Sequence, residues 1–136
     1  MAITDWERVI ITQNAIFLEN LGYARTENRY SIKYTLNDIC ISIIYPPNSD
    51  ESEVNICFIS KNKVYNVGWI AFVSNNRKEC TEKIINVKEL LMYIENHYSQ
   101  IVDYRFCENC NRLIDNYVVE HQDKYEEAIQ KFLSEN

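Results

Sequence analysis

From residue 29 the chain alternates with a period of two. Tyr30, Ile32, Tyr34 and Leu36 are separated by Arg29, Ser31, Lys33 and Thr35, which predicts a strand with one wet face. Asn37-Asp38 reads as a tight turn. Ile39, Ile41, Ile43 and Tyr45 give a second strand, ended by Pro46-Pro47. Val54, Ile56 and Phe58 give a third, and Ser60-Lys61-Asn62-Lys63 reads as a hairpin turn because Asn tolerates positive φ. Residues 63–74 are apolar at both parities: Tyr65, Val67, Trp69, Ala71 and Val73 on one, Val64, Ile70 and Phe72 on the other. That predicts a long fourth strand covered on both faces, with Gly68 marking a bulge or a close backbone approach. Connections this short make neighbouring strands antiparallel, since a parallel pair needs a crossover of roughly a dozen residues.

Helical spacing frames this meander. Trp6, Val9, Ile10, Ile16, Phe17 and Leu21 recur at threes and fours over residues 4–21. Thr4 and Glu7 form a capping-box pair, and Gly22 is placed as a left-handed C-terminal cap. Asn86, with Glu89 at the third position, caps a second helix striped by Val87, Leu90, Leu91, Ile94, Tyr98 and Ile101. Residues 103–136 contain neither Gly nor Pro. Phe106, Cys110, Leu113, Ile114, Tyr117, Val118, His121, Tyr125, Ala128, Ile129 and Phe132 mark one long helix there, or two meeting near 119–123. The expected architecture is a single α+β domain over residues 1–136: an N-terminal helix, a four-stranded antiparallel meander, and two to three C-terminal helices packed on one face of the sheet.

Composition narrows the chemistry. Only two glycines, Gly22 and Gly68, occur in 136 residues. A phosphate-cradling loop needs several, and a nucleophile elbow needs small residues around a strained turn. The net charge of −6 is unevenly spread. Residues 100–136 hold eight acids against four bases, and Asp50, Glu51 and Glu53 add a loop without a base. Phosphate contacts need Lys and Arg, so no nucleic-acid partner is expected. A basic protein partner would be steered toward such a surface, although acids also serve solubility alone. No apolar run approaches the ~20 residues that span a bilayer, and Met1–Glu7 lacks the basic and apolar regions of a signal peptide. No membrane contact is expected. Five cysteines without framework spacing fit reduced thiols in a cytoplasmic protein.

Cys107-Glu108-Asn109-Cys110 is the one local motif that invites chemistry. It could supply half a zinc site with His97 and His121, or a redox pair. A closed zinc site usually pairs two such knuckles, and no βαβ pattern surrounds this one. Two buried thiols on a helical stripe are the better account, so no metal or cofactor is expected. His121 reads as a packed histidine, and His97 as a cation favoured by a helix C-terminus. Trp69 reads as core before interface anchor. No serine has neighbours that mark a nucleophile, and no paired-acid or metal motif occurs. The reading is a binding protein and not an enzyme.

The order of elements carries a resemblance, through Val64-Tyr65-Asn66-Val67-Gly68-Trp69-Ile70-Ala71, Asn86-Val87-Lys88-Glu89-Leu90-Leu91, Leu113-Ile114-Asp115-Asn116-Tyr117-Val118 and the ending Phe132-Leu133-Ser134-Glu135-Asn136. It resembles the small immunity proteins of bacterial polymorphic-toxin and contact-dependent-inhibition systems. That resemblance implies a cofactor-free protein that covers the active site of a cognate toxin, often a basic nuclease. The expected contacts are Tyr45, Asp50, Glu51 and Glu53 at the acidic loop, with Asp115, Glu120 and Asp123 on the last helix. The alternative is a small adaptor or scaffold, self-associating as a homodimer through that helix.

Overall fold

In the computed structural model, which describes residues 2–48, 51–74 and 86–135 (backbone only at 123–125 and 135), Thr4 starts the first helix as its sequence predicts. Its hydroxyl accepts from the Glu7 N–H at 3.1 Å, while the Glu7 carboxylate accepts from the Thr4 N–H at 2.9 Å. The predicted single helix is two: α1, Asp5–Asn14, and α2, Ile16–Asn20, parted at Ala15. There the Asn14 amide turns back onto the Ile10 carbonyl at 2.8 Å, the kind of side-chain competition that unsettles a helix. The buried stripe is Ile3, Ile11, Ala15 and Leu18, not the predicted one, and Trp6 is 70% exposed. Gly22 closes α2 at φ 101°, with Tyr23 N–H on the Leu18 carbonyl and Gly22 N–H on that of Glu19. This is a Schellman motif, stapled by the buried pair Leu18 and Tyr23.

The sheet is antiparallel throughout, in the order β1-β2-β3-β4-β5: Ala24–Glu27, Ser31–Leu36, Ile39–Ile44, Glu53–Phe58 and Lys63–Asn66. It has one strand more than expected. β1 is polar and shows no alternation. Arg25 and Glu27 form an ion pair on it at 2.7 Å, a charged dressing that suits an edge. Asn37 and Asn62 take positive φ at the two turns, as their residue type suggests.

The predicted fourth strand ends early. Only Lys63–Asn66 pairs with β4; Val67–Ser74 is helix α3. The Asn66 side chain accepts from the Trp69 N–H at 3.1 Å, a helix N-cap bond. A run that is apolar all round carries no period to separate buried helix from buried strand. Gly68 accordingly marks no bulge; it is the second residue of α3. Trp69 is half-buried, its ring 5.8 Å from Phe72 and 6.1 Å from Tyr117.

Asn86 caps α4, Val87–Asn96, through the Glu89 N–H. One turn, α5, Tyr98–Ile101, leads into α6, Tyr104–Glu135, a single 32-residue helix. The helices lie over one face of the sheet, where Ile32, Tyr34, Ile41, Ile43, Val54, Ile56, Phe58 and Tyr65 build the core with α3, α4 and the start of α6. The α+β arrangement is thus the one expected, with an extra strand, the N-terminal helix divided in two, and α3 formed where strand was expected.

Tyr65 anchors α6 by donating its phenol proton to the Glu108 carboxylate. That bond, with Lys63 nearby, holds Glu108 below the usual carboxylate range. A depressed folded-state pKa contributes stability above the ordinary carboxylate pKa and loses it as pH falls through the depressed value. Tyr65→Phe is therefore expected to raise the Glu108 pKa in a carboxyl-carbon NMR titration and to move the acid-unfolding midpoint upward. An unmoved Glu108 titration would show that the bond does not hold the charge.

Candidate partner-binding surface

The predicted loop cluster is divided by the pleat. Tyr45 continues β3 on the helix-covered side, its N–H donating to the Tyr30 carbonyl at 2.8 Å. Burial pushes its phenol up to about 12, and the Glu7 carboxylate beside it adds in the same direction. With Glu7, Ile10, Ser52, Asn86, Val87 and Lys88 it lines a groove of about 290 Å³. Glu53 opens β4 opposite Ile44, so its side chain leaves on the outer face. Glu51 is exposed between them. Asp50 lies outside the described residues. Tyr45 and Glu53, eight residues apart in the chain, therefore address different sides of the sheet.

On α6 the predicted acids also separate. Five residues at about 100° each put Asp115 and Glu120 roughly 140° apart around the helix, both exposed. Each gains a later neighbour: Glu126 lies within about 20° of Asp115, and Glu127 within about 20° of Glu120. Asp123 is described only as helix backbone.

Among the described residues, the core contacts of α6 lie in its first part. Cys107, Cys110, Ile114 and Tyr117 pack against the core, whereas Val118 is 48% exposed, Ile129 40% and Leu133 60%. Val118 and Ile129 fall within about 20° of one another, and Asp115 and Glu126 border them on one side. The stripe that the sequence extends to Phe132 thus serves the core for its first part and faces solvent for the rest. An apolar strip rimmed by charge is the anatomy of an interface.

The CxxC pair is core, as expected. Cys107 is fully buried, its thiol donating to the Ile101 carbonyl at 3.2 Å, and burial pushes it up to about 12. Burial raises Cys110 as well. Such thiols are inert at neutral pH. His97 ends α4 with its ring 4.5 Å from that of Tyr93. His121 is exposed where packing was expected, its ring 3.8 Å from Tyr117 and its Nδ1 3.0 Å from the Tyr117 carbonyl. Among the described residues no group of three or more His, Cys, Asp or Glu converges as a metal site, and no helix is long and apolar enough to cross a membrane.

Two features carry no signal in the sequence pattern. Glu7 serves both the α1 cap and the Tyr45 groove, and its capping-box position gives no sign of the second role. Cys40 and Cys57 stand opposite one another on the outer sheet face; strand alternation places each on that face, but not their register. No family model, no curated protein and no solved structure matches this chain.

Proposed function

We propose that this chain is an immunity-type inhibitor, which binds a basic toxin enzyme such as a nuclease and covers its active site. The observation that carries the reading is the outward half of α6, where exposed Val118, Ile129 and Leu133 run beside Asp115 and Glu126. The apolar strip supplies area to bury, and the acids supply complementarity to a cleft that must attract phosphate. The net charge of −6 favours the same encounter at long range. The resemblance to immunity proteins points the same way.

The direct test is genetic. Co-expressed with a toxic basic domain encoded beside it, the chain should restore growth and co-purify in a one-to-one complex. Failure of both, or a setting among unrelated metabolic genes, counts against the reading. Given a partner, the variant carrying Asp115→Lys and Glu126→Lys should associate about tenfold more slowly at low salt, with the difference shrinking as salt rises. Stopped-flow association reads this, and an unchanged on-rate removes α6 from the contact. Charge reversal at Glu51 and Glu53 makes the same test of the loop.

The same strip supports one other reading, a scaffold that self-associates through α6. Light-scattering mass at micromolar concentration separates the two, because a dimer without any partner favours the scaffold.

A further inference from the structure

Cys40 of β3 and Cys57 of β4 are register partners, both free and half-exposed. Two residues back along the ladder the Ile59 N–H donates to the Asp38 carbonyl at 2.9 Å. Hydrogen-bonded pairs alternate in an antiparallel ladder, so Cys40–Cys57 is also such a pair, with Cα atoms about 5.5 Å apart. That separation is at the common value for disulfides. The Cβ atoms, about 5 Å apart in such a pair, must close by roughly 1 Å, a strain that makes the bond readily reduced rather than a permanent staple.

The surroundings distinguish the two sulfurs. Thr35 faces Cys40 from β2, Val64 faces Cys57 from β5, and Lys33 lies one pleat along on the same face. The neighbouring Cys57 thiol, with Thr35 and the Lys33 charge, outweighs burial and lowers Cys40. Cys57, which keeps its proton, is pushed up. Cys107 and Cys110, sealed in the core, have no such access.

We propose that Cys40 and Cys57 are a thiol-oxidation site on the outer sheet face, at which hydrogen peroxide closes a reversible cross-strand disulfide. The Cys40 thiolate attacks one peroxide oxygen. The O–O bond breaks, the other oxygen leaves as hydroxide and takes up a proton to become water, and Cys40 becomes a sulfenic acid. Cys57, losing its proton, then attacks the Cys40 sulfur; the S–S bond forms, the S–O bond breaks, and a second water leaves. Two electrons pass from the two thiols to one peroxide. A lowered thiol holds more thiolate at neutral pH, which favours Cys40 as the attacking sulfur.

The test treats the reduced full-length protein with hydrogen peroxide at pH 7, blocks remaining thiols with iodoacetamide, and maps the linkages by mass spectrometry. A peptide joining Cys40 to Cys57, lost on reduction with dithiothreitol, is expected. Both thiols still alkylated, or Cys40 carried to the sulfinic acid without the link, overturns the proposal. Dimedone should trap a sulfenic acid on Cys40 in the Cys57→Ser variant. A trap on Cys57 in Cys40→Ser but none on Cys40 in Cys57→Ser overturns the order of attack. The linkage map on the unaltered protein decides even where a serine variant fails to fold.

Discussion

Ile41→Ala is expected to cost about 3–4 kcal/mol of stability, while Cys40→Ala beside it costs less than about 1 kcal/mol. Ile41 is fully buried in β3, the middle strand, with Tyr34 opposite on β2 and Ile56 opposite on β4. All three point into the layer where the helices sit. Removing its outer carbons forfeits transfer free energy and leaves a cavity that paired strands on both sides cannot collapse to fill. Cys40 points the other way and is half-exposed, so truncating it opens no sealed space. For a chain of this length the Ile41 change should lower Tm by roughly 10 °C. Urea unfolding should show a lower midpoint at unchanged slope. Similar costs at the two positions would mean that the faces of β3 are assigned the wrong way round.

Such face assignments are legible in the sequence, because alternation in residues 29–58 is a local property of the pleat. The helix boundaries at Thr4, Gly22 and Asn86 are legible for a similar reason: each rests on one side chain or one φ angle within a few residues of it. Choices made by tertiary packing are not legible. In α1 two apolar stripes run side by side, and the one that carries the largest side chain, Trp6, together with Val9, is the one left outside. All but Trp69 and Ser74 of α3 is buried, and a run buried on every side would be so in either element, so burial erases the signal that would name it. β1 takes its place from its neighbour's edge, not from its own polar residues.

The candidate surfaces follow the same division. Proximity in sequence groups Tyr45 with Glu53, yet one turns toward α1 and α4 while the other turns away. The Cys40–Cys57 pairing depends on a register set across the connection from Tyr45 to Ser52, too long for turn geometry to fix. On α6 the heptad-like spacing predicts the helix but not where its apolar face changes from core to surface. That boundary depends on where α3 and α5 end beneath it.

Phe72→Ala should locate that boundary, at an expected cost of about 3–5 kcal/mol. Phe72 is 2% exposed, and its ring lies 5.0 Å from Tyr117 and 5.8 Å from Trp69, edge-on to both. Among the described residues Tyr117 is the last of α6 packed against the core, so this cluster, which joins α3 to α6, is the far clasp; Tyr65 of β5 and Glu108 form the near one. Truncating Phe72 empties the middle of the clasp, a loss felt by the whole fold. Tyr117→Ala removes a half-buried ring from the outside and should cost less, about 1–2 kcal/mol, because water can fill the space. The two changes share a contact, so their costs should fall short of additive by about 0.5–1.5 kcal/mol in a double-mutant cycle. Hydrogen exchange should then show faster opening in α6 around residues 113–117 in Tyr117→Ala, with the central strands β3 and β4 still protected. Full additivity, or unchanged exchange around Tyr117, would mean that α6 is held by its first turns alone and that the exposed strip begins a full turn earlier.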